Sequence, residues 1–440
     1  MARSKPLQAL PEEGDVAALN HDAEAVVRSA KTVFVPGALP GERIRYQRTR
    51  SHRQHDEGQL LEVLSASPER VQPKCAHFGV CGGCALQHLS PEGQLRAKQN
   101  ELAENLQRIG RVTPLRWLPP IAGPVWQYRR RARLGAKFVT KRGRVLVGFR
   151  ERAKPYIAAL ERCEILAAPL DALITPLADL LSGMQAKSSI PQIEAAVTET
   201  VTVLVFRHLE ALCESDRAQL QAFEQAWPVR IYLQPAGIDS IRPLLGEPAT
   251  LNYRLPAFDL SFDFLPTDFI QINAAINETL VAKAVELLEV GPDDRVLDLF
   301  CGLGNFTLAL ARRAAQVVGL EGDAGLVERA RLNARRNNID NVDFQVANLF
   351  EADSAAAAFG GSYSRVLLDP PRAGAIEALP RIVALNPERI VYVSCHPGTL
   401  ARDLAVLCEN QRYRVAAAGV IDMFPHTTHV ESIAVLERVK

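Results

Sequence analysis

The sequence predicts a multidomain chain of three successive folds. A small β-barrel is expected over residues 1–67, an α+β region around a cysteine cluster over 68–260, and a doubly wound, Rossmann-like α/β domain over 261–440. Three observations lead there. Short strand-like runs broken by Pro-Gly turns fill the first segment, and three cysteines at 75, 81 and 84 mark the second. In the third, apolar strand segments alternate with helical ones, the pattern of a mostly parallel sheet covered on both faces.

Composition is that of an ordinary globular protein, 48% hydrophobic and 23% charged. No apolar run reaches the ~18 residues needed to span a bilayer. The start, Met1-Ala2-Arg3-Ser4-Lys5-Pro6, lacks the hydrophobic stretch of a secretory signal, so a cytoplasmic location is expected. Net charge is only +1, yet it is unevenly spread: residues 1–154 hold 27 Lys/Arg against 14 Asp/Glu, and residues 155–440 hold 24 against 36. A basic front half points to a polyanion such as nucleic acid, with packing of two oppositely charged domains as the alternative. Eight cysteines in a cytoplasmic chain do not argue for disulfides, and the three within ten residues suggest a metal site or a cluster.

In the first segment, residues 25–34 alternate, Pro36-Gly37 and Pro40-Gly41 mark turns, and residues 42–48 and 59–64 read as further strands. Arg43, Arg45, Arg48, Arg50 and Arg53 lie there, placed for phosphates or for a solvated face. Residues 94–109 predict a helix ending at Gly110. Residues 126–154 are strand-like and intensely basic, with Trp126, Tyr128, Phe138 and Phe149 interleaved. Aromatics among arginines suit single-stranded RNA, although every second aromatic of a strand normally belongs to the core. Residues 160–260 predict mixed strands and helices without a chemical motif.

Beyond residue 261, helices are expected at 277–288, 306–313, 324–337 and 399–409, and strands at 295–300, 317–320, 342–347, 365–368 and 390–393. Ligands of such a sheet bind at the carboxyl ends of its strands. Segment 296–306 reads strand, glycine turn, helix start, with Asp298, Gly302 and Gly304. Glu321 ends the next strand 23 residues after Asp298, where an acid suits ribose hydroxyls. Thr307 replaces the third glycine of a dinucleotide fingerprint, and nothing nearby cradles phosphates. A nucleoside without pyrophosphate, such as S-adenosylmethionine, fits better than NAD.

Two later strand ends supply chemistry: Asp369-Pro370-Pro371-Arg372, and Ser394-Cys395-His396. C5 of a uracil is a poor nucleophile toward a methyl sulfonium. A cysteine thiolate added at C6 makes C5 carbanion-like, and a base must then remove the C5 proton. Cys395 and Glu431 are the candidates, with a buried small side chain and a surface carboxylate as their ordinary alternatives.

These residues carry a resemblance. The chain resembles the bacterial RNA uracil-C5 methyltransferases, specifically the type that modifies 23S ribosomal RNA, over nearly its whole length. The matching motifs are Asp268-Phe269-Ile270-Gln271-Ile272-Asn273, Asp298-Leu299-Phe300-Cys301-Gly302, Val391-Tyr392-Val393-Ser394-Cys395, and Asp422-Met423-Phe424-Pro425-His426-Thr427 leading to Glu431. The resemblance implies cofactor contacts at Gln271, Phe300, Asn305, Glu321, Asn348 and Asp369, Cys395 as nucleophile and Glu431 as base. His396 departs from the family, which often has Asn there.

The resemblance also implies a [4Fe-4S] cluster on Cys75, Cys81, Cys84 and the distant Cys163, although four thiolates would equally suit a structural zinc. Cys213, Cys301 and Cys408 are expected to pack. Residues 33–42 resemble a TRAM domain, a small OB-like RNA-binding barrel. Barrel and cluster together point to the type acting on a single uridine of 23S ribosomal RNA; a monomer is expected. A cytosine-C5 methyltransferase is one rival; its cysteine would follow the Asp-Pro-Pro strand end, where this chain has Arg372. An iron–sulfur RNA-binding or assembly factor with a vestigial site is the other, and such a factor need not keep Cys395, Glu431 and the glycine turn together.

Overall fold

The computed structural model describes residues 5–6, 10–351 and 359–439; the start of the expected barrel segment, residues 1–4 and 7–9, lies outside them. The chain packs as two compact units. One comprises Met1–Glu101, Arg150–Ala158 and Phe424–Thr428, and the other Leu102–Phe149, Ala159–Met423 and His429–Lys440.

In the first unit, strands β1 (Glu12–Leu19), β2 (Glu24–Val27), β3 (Val33–Pro36), β4 (Arg43–Ser51) and β5 (Asp56–Ser65) form a small barrel. Antiparallel pairs join β1 to β2, β2 to β3, β1 to β4 and β4 to β5, and a parallel β3–β5 pair closes the ring, leaving no long open edge. Val16, Val27, Val33, Val35, Ile44 and Tyr46 fill it. The single run expected at residues 25–34 is two strands, because Ser29 and Lys31 sit in a turn between them. After the barrel comes the cysteine loop, then α1 (Pro91–Asn105), which runs on into one π-helical turn at Leu106–Gly110.

The Phe424–Thr428 turn belongs to this unit through polar ties. The His426 carbonyl accepts from the Ala85 and Leu86 amides at 2.8 and 3.0 Å, and the Gln94 Oε1 accepts from the His426 amide at 2.8 Å. Lys98 Nζ, almost fully buried, donates to the Phe424 carbonyl at 2.9 Å.

The second unit holds two large sheets. The central one contains β6 (Arg131–Val139), β7 (Arg144–Gly148), β8 (Gln192–Val197), β9 (Thr202–Arg207) and β10 (Val229–Gln234), in the order β10-β9-β8-β6-β7 with Arg242–Pro243 at the β10 edge. Helices α2 (Ile174–Gly183) and α3 (Glu214–Ala226) pack on it. The hairpin β11 (Leu251–Leu255) and β12 (Leu260–Phe264) then leads to α4 (Ala274–Leu288), whose N-terminus Asn273 caps by accepting from the Ile276 amide.

The second sheet contains β13 (Arg295–Leu299), β14 (Gln316–Glu321), β15 (Val342–Val346), β16 (Arg365–Leu368), β17 (Arg389–Ser394), β18 (Tyr413–Ile421) and β19 (Glu431–Arg438). Their order is β15-β14-β13-β16-β17-β19-β18, with Arg116–Trp117 beyond β18. The first five run parallel and β19 is antiparallel to both neighbours. Helices α5 (Thr307–Ala311), α6 (Ala324–Arg336), α7 (Leu379–Leu385) and α8 (Pro397–Leu407) connect them. This is the expected doubly wound domain. The strand order reverses between β13 and β16, which opens a crevice beyond their carboxyl ends. The antiparallel pair β18–β19 was not read from the sequence. Both strands are buried along most of their length, so no alternation of polar and apolar residues marks them. Among the described residues, no helix is long and apolar enough to cross a membrane.

Candidate active site

The cofactor turn follows β13. Phe300, Gly302 and Gly304 all have positive φ, at 64°, 55° and 88°, so the chain coils back on itself immediately beyond the strand. At Gly302 an added Cβ would meet nothing within 4 Å, while at Gly304 it would press on Phe344 at 3.1 Å. The first glycine thus leaves an open face for a ligand, and the second serves close packing. Glu321, at the end of β14, accepts from the Gly302 amide at 3.1 Å and the Asp323 amide at 3.0 Å, which holds its carboxylate beside the turn. The Ala347 amide pairs with the Glu321 carbonyl, bringing exposed Asn348 alongside; its Oδ1 accepts from the Phe350 amide.

Asn305, expected as a ligand contact, also has a part within the protein. Its Oδ1 accepts from the Tyr253 hydroxyl and from Asn277 Nδ2, both at 3.0 Å, and its Nδ2 donates to Asn277 Oδ1 at 2.9 Å. The side chain ties the turn to α4 and β11. Tyr253 in turn lies under the buried Arg130 guanidinium, 4.8 Å from the ring centroid, and Arg130 Nε donates to the carbonyl of buried Gln271.

Asp298 points into the same place. One of its oxygens accepts from the Thr307 hydroxyl at 2.5 Å; the other is buried without a partner. Burial pushes its pKa up to about 7, with the Asp369 and Glu321 charges adding to the effect, and burial alone does the same to Asp369. Asp298 thus lies within electrostatic reach of both Asp369 and Glu321, a gathering of acids that suits a cation. From sequence Asp298 has no assigned role; its signal is an acid inside an otherwise apolar buried strand.

Cys395 and Glu431 come together through register. Ser394 of β17 pairs with Ser432 of β19, so the residues just beyond, Cys395 and Glu431, face each other across the antiparallel pair. Cys395 is partly accessible and Glu431 is buried. Burial pushes the Cys395 thiol up to about 11, with Glu431 and then Asp369 raising it further and Arg372 pulling the other way. His396, where the family often has Asn, caps α8, its Nδ1 accepting from the Thr399 amide at 3.2 Å.

A family model described as tRNA (Uracil-5-)-methyltransferase matches residues 196–439. The chain belongs to this family of uracil-C5 methyltransferases. It is 48% identical over 443 residues, all of both chains, to the 23S rRNA (uracil(1939)-C(5))-methyltransferase RlmD of Xanthomonas euvesicatoria. A protein of the same name from Nitrosococcus oceani is 48% identical over 441 residues, 100% of this chain and 98% of that one. The crystal structure of a Pyrococcus abyssi tRNA (uracil-54, C5)-methyltransferase in complex with S-adenosyl-L-homocysteine superimposes with a TM-score of 0.75 at 25% identity. The match covers 97% of this chain and 100% of that one.

For a uracil-C5 methyltransferase, the raised thiol has a direct consequence. A pKa near 11 leaves Cys395 protonated in the free protein at neutral pH, and only the thiolate alkylates. Iodoacetamide labelling of Cys395, followed by peptide mass spectrometry, is expected to rise about tenfold per pH unit up to the upper end of the accessible range. Removing the neighbouring negative charge by Glu431→Gln lowers the thiol pKa and moves the profile to lower pH. A profile identical in both proteins contradicts the facing arrangement.

The remaining expectations fare unevenly. Arg48 is tied to Glu12 and Asp56 and is largely covered, so it serves the barrel rather than a phosphate. Arg43 and Arg45 are paired with Glu13 and Glu62 but exposed, and Arg50 and Arg53 are exposed. Exposed pairs contribute little and can exchange a carboxylate for a phosphate. In the basic stretch, Arg130 is buried, Arg131 donates to the Pro266 carbonyl, and Tyr128 is core, with Phe138 and Phe149 packed against the central sheet's core. Cys301 is buried, and Cys408 packs against the core of the second sheet. In the first unit Cys81 Sγ accepts from the Gly83 amide at 3.4 Å, the kind of bond that stabilises a thiolate ligand. Among the described residues, no three His, Cys, Asp or Glu side chains are gathered as a metal-binding group. One feature given no role from sequence is Phe269, 70% exposed two residues before buried Gln271.

Proposed function

We propose that this protein methylates C5 of one uridine in 23S ribosomal RNA through a covalent adduct between Cys395 and C6 of the base. The observation that carries the covalent route is the facing of Cys395 and Glu431 at the strand ends beside Asp369. When bound, S-adenosylmethionine supplies an electrophilic methyl group carried on a cationic sulfur. The carboxylates Asp298 and Asp369 suit that cation and Glu321 the ribose hydroxyls, with Gln271, Phe300, Asn305 and Asn348 completing the surroundings of the turn, Asn305 by holding it in place. Once the thiol has given up its proton to solvent, the Cys395 thiolate adds to C6, placing electron density on C5, which would take the methyl group with S-adenosylhomocysteine as the leaving group. Glu431 then accepts the C5 proton, the C6–S bond breaks, and the thiolate leaves. Arg372, rather than a cysteine, after the Asp-Pro-Pro strand end supports uracil over cytosine as the base.

The named relatives support 23S ribosomal RNA as the substrate; our reading of the chain as a cytoplasmic monomer rests on the sequence alone. In the division of work we propose, the TRAM-like barrel of residues 1–67 and the basic surface within 68–260 hold the RNA, and residues 261–440 carry out transfer. Mapping of 5-methyluridine in 23S ribosomal RNA from cells lacking this protein tests the reading. Loss at a single uridine, restored by the wild-type gene, is expected; unchanged ribosomal RNA with loss in transfer RNA overturns it.

We also propose that Cys75, Cys81 and Cys84, with Cys163 as the fourth thiolate read from sequence, hold a [4Fe-4S] cluster that shapes the RNA-binding part of the chain. The donor set is right for iron–sulfur or zinc. Anaerobic purification is expected to give a brown protein with roughly four irons per chain. A colourless protein loaded with zinc contradicts the cluster.

A further inference from the structure

The loop that follows β16 is held along α8. The Thr399 hydroxyl lies within hydrogen-bond distance of both the Arg372 and the His396 carbonyls, at 3.2 and 3.1 Å. Arg402 donates to the Ala373 carbonyl at 2.9 Å, and Asp403 accepts from the Ala375 amide at 2.8 Å and the Tyr392 hydroxyl at 2.6 Å. Gly374, at a φ of 83°, lies so close to α8 that a Cβ there would meet Asp403 Oδ2 at 2.6 Å. The Arg372 backbone is thereby fixed against the same helix whose N-cap, His396, directly follows Cys395.

The two arginines of this frame differ. Arg402 is paired with the fully buried Asp403 at 2.6 Å. Arg372 is exposed, and among the described residues its guanidinium makes no hydrogen bond or ion pair. Its charge reaches Cys395 and His396 and pulls both pKa values down, while Glu431 and Asp369 act on Cys395 in the opposite sense. An anionic strand arriving beside those two acids needs a compensating cation, and Arg372 is accessible to supply it. Its planar fork matches two oxygens of one phosphate. To reach the sulfur, the target nucleotide must leave its stack and bring its backbone along. In an anti pyrimidine nucleotide, C6 is the ring carbon on the side of the 5′ phosphate. A sulfur poised to add at C6 therefore has that phosphate close by, on the side where a free cation is wanted.

We propose that Arg372 binds the phosphate on the 5′ side of the target uridine and so sets C6 against the Cys395 sulfur. The proposal rests on the covalent reading above and assigns a substrate contact to a residue outside the reacting pair. The test uses the full-length protein and a ribosomal RNA fragment in which one linkage, either 5′ or 3′ of the target, is a neutral methylphosphonate. The wild type is expected to lose about tenfold in kcat/KM, mainly as a rise in KM, when the 5′ linkage is neutral, and Arg372→Gln to lose a similar factor on the unmodified fragment. The two losses should not add. Arg372→Gln should be nearly indifferent to the neutral 5′ linkage, and Arg372→Lys should recover part of the loss. A neutral 3′ linkage should affect both proteins alike, and a residue that merely supports the fold would show no such coupling to one phosphate. Independent losses from Arg372→Gln and the neutral 5′ linkage, or coupling to the 3′ linkage instead, overturn the assignment. Should Arg372→Gln fail to fold, Arg372→Lys takes its place in the comparison, and sensitivity to the 5′ linkage equal to that of the wild type overturns it. Turnover by Cys395→Ala, or no methylation of the unmodified fragment by the wild type, instead removes the reading on which the proposal rests.

Discussion

Replacing Cys395 by alanine is expected to lower methyl transfer by about 10⁴-fold or more while leaving S-adenosylmethionine binding intact. The size of the effect follows from the chemistry. Without a nucleophile at C6, C5 of the uracil has no carbanion character, and no residual path at the same site replaces it. Binding should survive because the carboxylates proposed for the cofactor site, Asp298, Glu321 and Asp369, stand on or just beyond other strands, and their backbone positions are set by the parallel β13, β14 and β16. Alanine at 395 also removes only one partly accessible sulfur from the end of β17, so the fold should persist. Tritiated methyl transfer at saturating cofactor measures the first effect, and equilibrium binding of S-adenosylhomocysteine the second. Measurable turnover in the alanine variant would remove the covalent mechanism.

Glu431→Gln is expected to accumulate a covalent protein–RNA species that survives denaturing gel electrophoresis, with product release slowed by about 10²- to 10⁴-fold. The carboxylate is buried at the start of β19 and faces the end of β17. Glutamine keeps that shape but cannot accept the C5 proton, so the C6–S bond has no route to break. Two opposing consequences separate here. The lost charge makes the Cys395 thiolate easier to form, because Glu431 is the leading charge that raises it. Adduct formation should therefore be as fast as in the wild type or faster, while its resolution is slow. A variant that forms no adduct and shows reduced thiol alkylation contradicts the assignment of the base.

Much of this was open to a local reading. A strand, a glycine turn and a helix start lie within a few residues, so the Asp298–Gly304 turn follows from short-range sterics, and Glu321 follows as the end of the next strand. The position of Cys395 at a strand end was equally local. Glu431 was different: its surroundings give no hint that it faces a thiol, since that depends on a register between β17 and a strand about forty residues on. The same holds for Asn305, whose partners Tyr253 and Asn277 lie 52 and 28 residues away. Arginine counts in the barrel and the basic stretch were also deceptive. Alternation marks a residue as outward, but the pairing of Arg48 with Glu12, or the burial of Arg130 over Tyr253, is a matter of which strands become neighbours.

By itself the sequence determined the doubly wound domain, its glycine turn, the cysteine after β17 and the charge division between front and rear, because each depends on residue type and short-range periodicity. Only the tertiary structure decided that Glu431 faces Cys395, that Asp298 comes within electrostatic reach of Glu321 and Asp369, and that the Phe424–Thr428 turn joins the unit of the cysteine loop through His426, Gln94 and Lys98. Those are contacts between distant segments. Strand register and buried hydrogen-bond satisfaction set them, and neither is encoded in any short stretch of the chain.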